Sequence, residues 1–281
     1  MVSVSTFAFA GLDLLEFAEK LRRQGDTETG LELFFDTHPF TGAGLYQEHL
    51  RDFINHERMG IHCPTSGCDL LADEGTLLLR HSLDRHKECM ELAARINAPY
   101  MVLHTNGMNP VDQARIQKKR KLFMERAVLL AETARQHGCE LWVENVGFGR
   151  SRTMVFDEAS YIDLILSGRS FYSLVDIGHA HINGWDLPRL FKRLNGRIKG
   201  VHVHDNDGVS DQHLPVFRGS IQWEPIFQAM QNLSGDLVAV LEYMPNTPRG
   251  ELSLGINILR DNLFKQADTT SYFKKDSKAK A

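Results

Sequence analysis

The chain has 281 residues, of which 42% are hydrophobic and 24% are charged. Its nine prolines and 22 glycines are ordinary usage, which excludes a collagen-like repeat and disorder along the whole chain. Lys and Arg number 32 against 36 Asp and Glu, for a formal charge of -4, so a protein that coats nucleic acid through a general excess of positive charge is disfavoured.

The N-terminal stretch MVSVSTFAFAGLDLLEFAEK has no basic start and no long apolar run. It therefore predicts neither a secretory signal nor a membrane span, and a cytoplasmic location is expected. The four cysteines lack the paired spacing of a zinc ribbon, and without export a disulfide framework is not expected. We expect reduced thiols at Cys63, Cys68, Cys89 and Cys139.

Short runs of β-branched and aromatic residues alternate along the chain with longer stretches of helical periodicity. The predicted strands begin near Val2, Leu31, Met59, Tyr100, Glu140, Tyr172, Ile198 and Leu237. A helical stretch is expected after each strand, with the longest from Leu77 to Ile96 and from Gln113 to Gln136. This order is typical of parallel strands joined by helical crossovers.

Eight βα units without a Pro-, Gly- or Ser-rich linker predict an α/β fold, a single (β/α)₈ TIM barrel over residues 1–267. The polar, lysine-rich residues 268–281 are expected to form a tail. An open doubly wound sheet is the rival architecture. It usually carries a Gly-rich phosphate loop after its first strand, and FAFAGLDL has no such pattern.

Barrel enzymes carry their reactive groups at the C-terminal ends of the strands. Residue types that bind metals end the predicted strands three to eight: His62, His104, Glu144, Asp176, His202 and Glu242. One such residue is more often a helix cap or a loop hydrogen-bond partner, but six around one axis are costly without a compensating cation. We predict a divalent metal; imidazole with carboxylate suits Zn²⁺, Mn²⁺, Fe²⁺ or Co²⁺, and these ligand types do not choose among the four ions.

The loops after strands six and seven add candidates for a further metal or for substrate contacts. They are His179, His181, His204, Asp205, Asp207, Asp211, His213 and Arg218. His179 and Arg218 are candidates to hold substrate hydroxyls or a phosphate, although a loop arginine is more often solvated or paired.

Four aromatic residues are candidates for the wall of a substrate pocket: Trp142, Trp185, Trp223 and Phe148. Core packing is the alternative for each of them. Histidines in helical or connecting stretches, such as His86 and His137, are expected at the surface.

The strand-end segments WVENVG, LVDIGHA, GVHVHDND and VLEYMP resemble the xylose isomerase-like barrel superfamily. That superfamily includes sugar and sugar-phosphate isomerases and epimerases, and also the endonuclease IV enzymes of DNA repair. The resemblance implies a single-metal ligand set of Glu144, Asp176, His202 and Glu242. The longer stretch HVHDNDGVSDQHLPVFRGSIQW is similar to the isomerase and epimerase branch.

This resemblance implies a divalent-metal-dependent isomerase or epimerase acting on a sugar, a sugar phosphate or a related polyhydroxy carbonyl compound. Glu144 and Glu242 would remove a proton and return one at a carbon beside the carbonyl. The expected partner is a small carbohydrate. Neither nucleic acid nor a membrane is expected, and a homo-oligomer is possible.

Two alternatives remain open. The endonuclease IV branch binds three zinc ions, and its nine ligands have counterparts in His62, His104, Glu144, Asp176, His179, His202, Asp211, His213 and Glu242. Against this phosphodiesterase, HCPTSGCD has small polar residues where that branch has an aromatic, and the overall charge is acidic. A non-catalytic barrel that binds a sugar or a metal is the third hypothesis.

Overall fold

Eight parallel strands form the centre of the protein. The computed structural model describes residues 1–9, 13–36, 59–245 and 247–264. The strands are β1 (Val2–Ser5), β2 (Gly30–Phe34), β3 (Met59–His62), β4 (Tyr100–His104), β5 (Glu140–Glu144), β6 (Tyr172–Asp176), β7 (Ile198–Val203) and β8 (Val238–Leu241). Each pairs in parallel with its neighbours in chain order, and β1 pairs with β8. The chain therefore folds as the predicted (β/α)₈ TIM barrel.

Helices surround the barrel. The described α-helices are α1 (Asp13–Arg23), α2 (Leu77–Ile96), α3 (Ile116–Gln136), α4 (Glu158–Ser167), α5 (Ile177–Ile182), α6 (Leu187–Arg193), α7 (Trp223–Gln231) and α8 (Arg249–Leu259). The predicted helix from Gln113 starts as a 3₁₀ turn, because the Asp112 side chain caps that turn rather than α3. The helical stretch expected after β2 and the tail 268–281 lie outside the described residues.

The N-terminal half of the barrel interior is filled by an apolar cluster. Tyr100, Val102, Trp142 and Leu174 pack together there, with the rings of Tyr100 and Trp142 stacked at 3.8 Å. Gly60 on β3 makes room for this stack, since a Cβ atom at that position would lie 2.0 Å from Tyr100 Cζ. Large side chains thus close this end of the barrel, and polar side chains occupy the opposite, C-terminal end.

Two predictions about the chain's chemistry can be compared with the structure. All four cysteines are free, as expected. Among the described residues, we find no helix with the length and apolar character needed to cross a bilayer.

Candidate metal centre

Side chains of the types that can bind metals enter the mouth of the barrel from seven of its strands or strand ends. They are Glu32, His62, His104, Glu144, Asp176, His202 and Glu242, and all except His104 are buried. Strand alternation places them there: on β7, for example, His202 lies between Val201 and Val203. Buried carboxylates and imidazoles at this density need hydrogen bonds or a cation to offset the loss of water.

Four of these residues form a central group, defined as Glu144, Asp176, His202 and Glu242. His202 Nδ1 lies 3.3 Å from Glu242 Oε2, 3.5 Å from Glu144 Oε1 and 3.6 Å from Asp176 Oδ2. Ligand atoms bonded to one ion at about 2.0–2.2 Å in a tetrahedron would be about 3.3–3.6 Å apart. Neither His202 Nδ1 nor Glu144 Oε1 makes a hydrogen bond of acceptable geometry. The three distances from His202 Nδ1 therefore match those expected between ligands of one divalent cation.

Glu32 is a member of this site that sequence reasoning missed. His202 Nε2 donates a hydrogen bond to Glu32 Oε1 at 2.9 Å, which leaves the lone pair of the neutral ring on Nδ1, facing the three carboxylates. Glu32 lies within β2, not at the end of one of the strands three to eight that carry the predicted ligands, and is 0% exposed. The available signal was a charged residue between Leu31 and Leu33, whose side chains point the other way.

A second group of candidate ligands, a triad, lies on the other side of Glu144. His62 Nδ1 donates to the carbonyl of Cys63 at 2.9 Å, so its Nε2 carries the lone pair. That nitrogen lies 3.1 Å from His104 Nε2 and 3.3 Å from Glu144 Oε2. His104 Nε2 is 3.2 Å from the same carboxylate oxygen. We call His62, His104 and Glu144 the β3–β5 triad; its three ligand atoms lie 3.1–3.3 Å apart, which is compatible with a metal site.

The third group of candidate ligands is contributed mainly by loops, and we call it the loop triad. It consists of His179, Asp211 and His213. His179 Nδ1 donates to the carbonyl of Asn145 at 3.2 Å, and His213 Nδ1 donates to the carbonyl of Glu242 at 2.7 Å. Their Nε2 atoms are therefore turned toward Asp211 Oδ2, at 3.3 and 3.1 Å. The backbone thus fixes both tautomers so that the ligand nitrogens face one carboxylate.

His204 supports the two neighbouring groups. Its Nε2 lies 3.1 Å from Asp176 Oδ2, and its ring stacks on His213 with the centroids 3.9 Å apart. Asp176 also caps α5 by accepting a hydrogen bond from the backbone N–H of His179 at 2.6 Å. The orientation of Asp176 is thus set by a histidine and by a helix N-terminus.

The carboxylates and imidazoles shift each other's pKa in opposite directions. Burial raises the pKa of Glu144, but the imidazoles of His104 and His202 outweigh it and hold that pKa well below its usual range. Burial lowers the pKa of His202, yet the carboxylates of Glu242 and Glu32 hold it well above its usual range. In the absence of a cation His202 therefore favours its protonated form, and a bound metal would displace the proton from Nδ1.

Several loop residues predicted as candidates lie outside these groups. The side chain of Arg218 is 58% exposed and donates a hydrogen bond to Glu251 Oε1 at 2.8 Å. Arg218 is therefore a paired loop arginine, which was the alternative to a substrate contact. Asp205 is buried, but it accepts hydrogen bonds from the Ile221 backbone and from Trp223 Nε1, so it holds its loop together. His181 contacts Ser220 in the loop after β7, and Asp207 hydrogen-bonds within its own loop.

Of the four aromatic candidates, Phe148 lies beside the ligand groups, with its ring 5.5 Å from that of His179. Trp142, Trp185 and Trp223 pack in the core. Among the histidines expected at the surface, His137 is exposed, as predicted, but the prediction for His86 was wrong. His86 is 2% exposed because it lies on the inner face of α2.

Comparison with known proteins links this geometry to a family. The model of the xylose isomerase-like TIM barrel family matches residues 13–262. The uncharacterized protein y4fM of Sinorhizobium fredii is 26% identical over 190 residues, which are 66% of this chain and 54% of y4fM. The fructoselysine 3-epimerase of Escherichia coli O157:H7 is 26% identical over 166 residues, 58% of each chain. The chain thus spans little more than half the length of these relatives.

Solved structures share the fold. A D-tagatose 3-epimerase-like protein superposes with a TM-score of 0.77 at 18% identity, covering 93% of this chain and 96% of its own. The IolI protein with a bound zinc atom gives a TM-score of 0.73 at 14% identity, covering 93% and 97%. The family match runs from α1 to the turn after α8 and includes every residue of the three ligand groups. The chain therefore belongs to the xylose isomerase-like TIM barrel family.

Proposed function

We propose that the protein is a divalent-metal-dependent isomerase or epimerase that acts on a sugar, a sugar phosphate or a related polyhydroxy carbonyl compound. The observation that carries this proposal is the position of His202 Nδ1, within 3.6 Å of carboxylate oxygens of Glu144, Asp176 and Glu242. The epimerases among the chain's relatives and structural neighbours support the same class of reaction. The expected cofactor is Mn²⁺ or Zn²⁺, with Co²⁺ or Fe²⁺ also compatible.

Glu144, Asp176, His202 and Glu242 would hold the cation. When bound, it supplies Lewis acidity that acidifies the C–H bond beside a substrate carbonyl. One of the two glutamates then takes the proton from one face of that carbon, and the other, in its protonated form, returns a proton to the opposite face. The bond broken and the bond formed are both C–H bonds at the same carbon, so this step inverts the centre without an external oxidant; isomerisation would instead place the proton on the former carbonyl carbon and move a hydroxyl proton to the other oxygen.

The surroundings of the two glutamates differ. Glu242 Oε1, like Glu144 Oε1, makes no hydrogen bond, and the contacts of Glu242 with His202 and His213 are made by its other oxygen, Oε2. Both oxygens of Glu144 face imidazoles, with His202 Nδ1 3.5 Å from Oε1 and His104 Nε2 3.2 Å from Oε2. The neighbouring His179 is our candidate for a contact to a substrate hydroxyl. Arg218 is omitted from this role because Glu251 already engages its guanidinium.

The test is hydrogen exchange between solvent and substrate. Metal-loaded protein is incubated in heavy water with a panel of free ketoses, aldoses and their phosphates, and deuterium is located by NMR. We expect one deuterium at one carbon of the accepted substrate. Glu242→Gln should slow this exchange by about 10²–10⁴-fold while substrate binding remains measurable. Glu140→Gln, at the opposite end of the barrel, is the matched control; undiminished exchange in Glu242→Gln would disprove the two-glutamate scheme.

A second candidate function is an endonuclease IV-like, trinuclear-zinc phosphodiesterase. The specific observation in its favour is that the β3–β5 triad and the loop triad also hold ligand atoms 3.1–3.3 Å apart. Clustered metals suit phosphodiester hydrolysis because they activate water and stabilise the leaving oxygen. Three zinc ions per purified chain, together with cleavage of an abasic duplex and no sugar exchange, would replace our first proposal with this one.

A further inference from the structure

A small cavity adjoins the candidate metal centre on the side of β3 and β4. Its volume is about 100 Å³, enough for a group of a few heavy atoms. Its walls are formed by Pro64, Thr65, Cys68, Leu70, His86, Leu103, His104, Asn106, Gly107 and Met108. His104 belongs to both places, since its Nε2 lies 3.2 Å from Glu144 Oε2. A substrate held at the metal centre therefore has this cavity within reach.

His86 gives the cavity a buried hydrogen-bond acceptor. Its Nδ1 donates to the carbonyl of Ser82 at 2.7 Å, which fixes the tautomer and leaves a lone pair on Nε2. No described residue hydrogen-bonds Nε2, although the side chain is buried. Burial also lowers the pKa of His86, so the ring is neutral at physiological pH. Nε2 is not one of the fully buried polar atoms that lack a partner, so it is open to the cavity, where a ligand hydroxyl can replace water as its donor.

The charges around the cavity disfavour an anion. None of the described lining residues carries a positive charge. Thr65, on the wall, donates its N–H and its hydroxyl to Asp36 Oδ2 at 2.5 and 3.0 Å, which places a carboxylate beside the cavity. The nearby Arg85 is engaged by Glu88 at 2.7 Å and by Asp36 at 3.6 Å. A phosphate would fit by size but would face a carboxylate, with no free cation among the described residues that line the cavity.

We propose that this cavity is a subsite for an uncharged, hydroxyl-bearing end of the substrate, with His86 Nε2 accepting a hydrogen bond from a hydroxyl. This inference rests on the proposed isomerase or epimerase function and narrows its substrate class. Sugars that are not phosphorylated at the end entering the cavity are the preferred substrates.

The first experiment compares free ketohexoses with the 6-phosphates of fructose and tagatose in the deuterium-exchange assay. We expect kcat/KM for the accepted free ketose to exceed that for its phosphate by at least about tenfold. A preference for the phosphate would overturn the subsite and leave the isomerase or epimerase function intact. Absence of exchange with every sugar and every phosphate would instead refute the proposed function. The subsite is then tested by the binding of free sugars to the cavity, measured by the titration of His86 described below.

The second experiment changes the acceptor. His86→Leu should raise KM for the free ketose about five- to tenfold, the worth of one neutral hydrogen bond, with kcat within about twofold of the wild type. His86→Gln, whose amide oxygen can accept, should recover part of the loss. His81→Gln, an exposed histidine on the same helix, should change neither value. A folded His86→Leu variant with the wild-type KM would contradict the proposal.

Binding is measured directly by the ¹⁵N resonance of His86 Nε2 in the full chain during titration with free D-fructose and D-tagatose. A hydroxyl that donates to this nitrogen should shift its resonance toward the hydrogen-bonded range, and the His81 resonances should stay in place. No movement of the Nε2 resonance at saturating sugar would overturn the subsite, whether or not the substituted proteins fold.

Discussion

Replacing Glu32 tests whether the arrangement around His202 is built for a metal. The Glu32 carboxylate accepts the Nε2 proton of His202 at 2.9 Å and is fully buried. It therefore holds the neutral ring in the tautomer whose Nδ1 lone pair faces the central group. Glu32→Gln preserves the shape and an acceptor oxygen but removes the negative charge, and Glu32→Leu removes the acceptor as well.

The size of the effect follows from the role of such supporting carboxylates, whose loss weakens metal binding by about 10–100-fold, or about 1.4–2.7 kcal/mol. We expect Glu32→Gln near the lower end of that range. Glu32→Leu belongs near the upper end, because His202 Nε2 would then be a buried donor without a partner.

Affinity is measured by competition between the protein and a chromophoric chelator for Zn²⁺ and for Mn²⁺, and circular dichroism confirms that each variant is folded. Glu140→Gln is the matched control, because Glu140 lies at the opposite end of the barrel and its Oε2 accepts from Trp142 Nε1. Glu242→Gln serves as a variant that lacks a ligand. Wild-type affinity in both Glu32 variants, alongside weakened binding in Glu242→Gln, would refute this account of the His202 tautomer.

Three further predictions concern stability. Partial burial raises the pKa of Asp26, but contacts with Arg260 and Thr29 outweigh it and lower that pKa to about 2. The Asp26 carboxylate therefore stabilises the fold above about pH 4, and this stabilisation is lost as the pH falls through about 2. Asp26→Asn should lower the free energy of unfolding, measured in urea, by about 1 kcal/mol at neutral pH after allowance for solvent screening, and by less at about pH 3. An equal decrease at both pH values would contradict this prediction. Tyr161→Phe removes a buried hydroxyl that lies 2.8 Å from the Val143 carbonyl oxygen and should cost about 1–2 kcal/mol, so an unchanged denaturant midpoint would argue against that bond. Gly60→Ala places a methyl group against the ring of Tyr100 and should lower the Tm, with a loss of about 1–3 kcal/mol; an unchanged Tm would show that the ring moves at little cost.

The sequence by itself determined the order and boundaries of most elements. Strand and helix periodicity are local properties, so the predicted strand starts agree with the observed ones to within one residue for seven strands from β2 to β8. Helix α2 spans Leu77–Ile96, as predicted, because Thr76 caps its start and Asn97 ends it in the left-handed region. The strand ends also indicated which residue types meet at the barrel mouth, since alternation sends every second side chain inward.

Only the tertiary structure decided which of these residues touch and through which atoms. Glu32 and His202 are 170 residues apart, and their contact depends on barrel closure and register, which no local pattern encodes. The same holds for the tautomers of His179 and His213, which the distant backbone carbonyls of Asn145 and Glu242 fix. His86 was placed at the surface by its helical context, but the packing of α2 against the barrel buries it beside the cavity. Local sequence thus supplies the carboxylate and imidazole groups of this site, and long-range packing sets the distances and orientations between them.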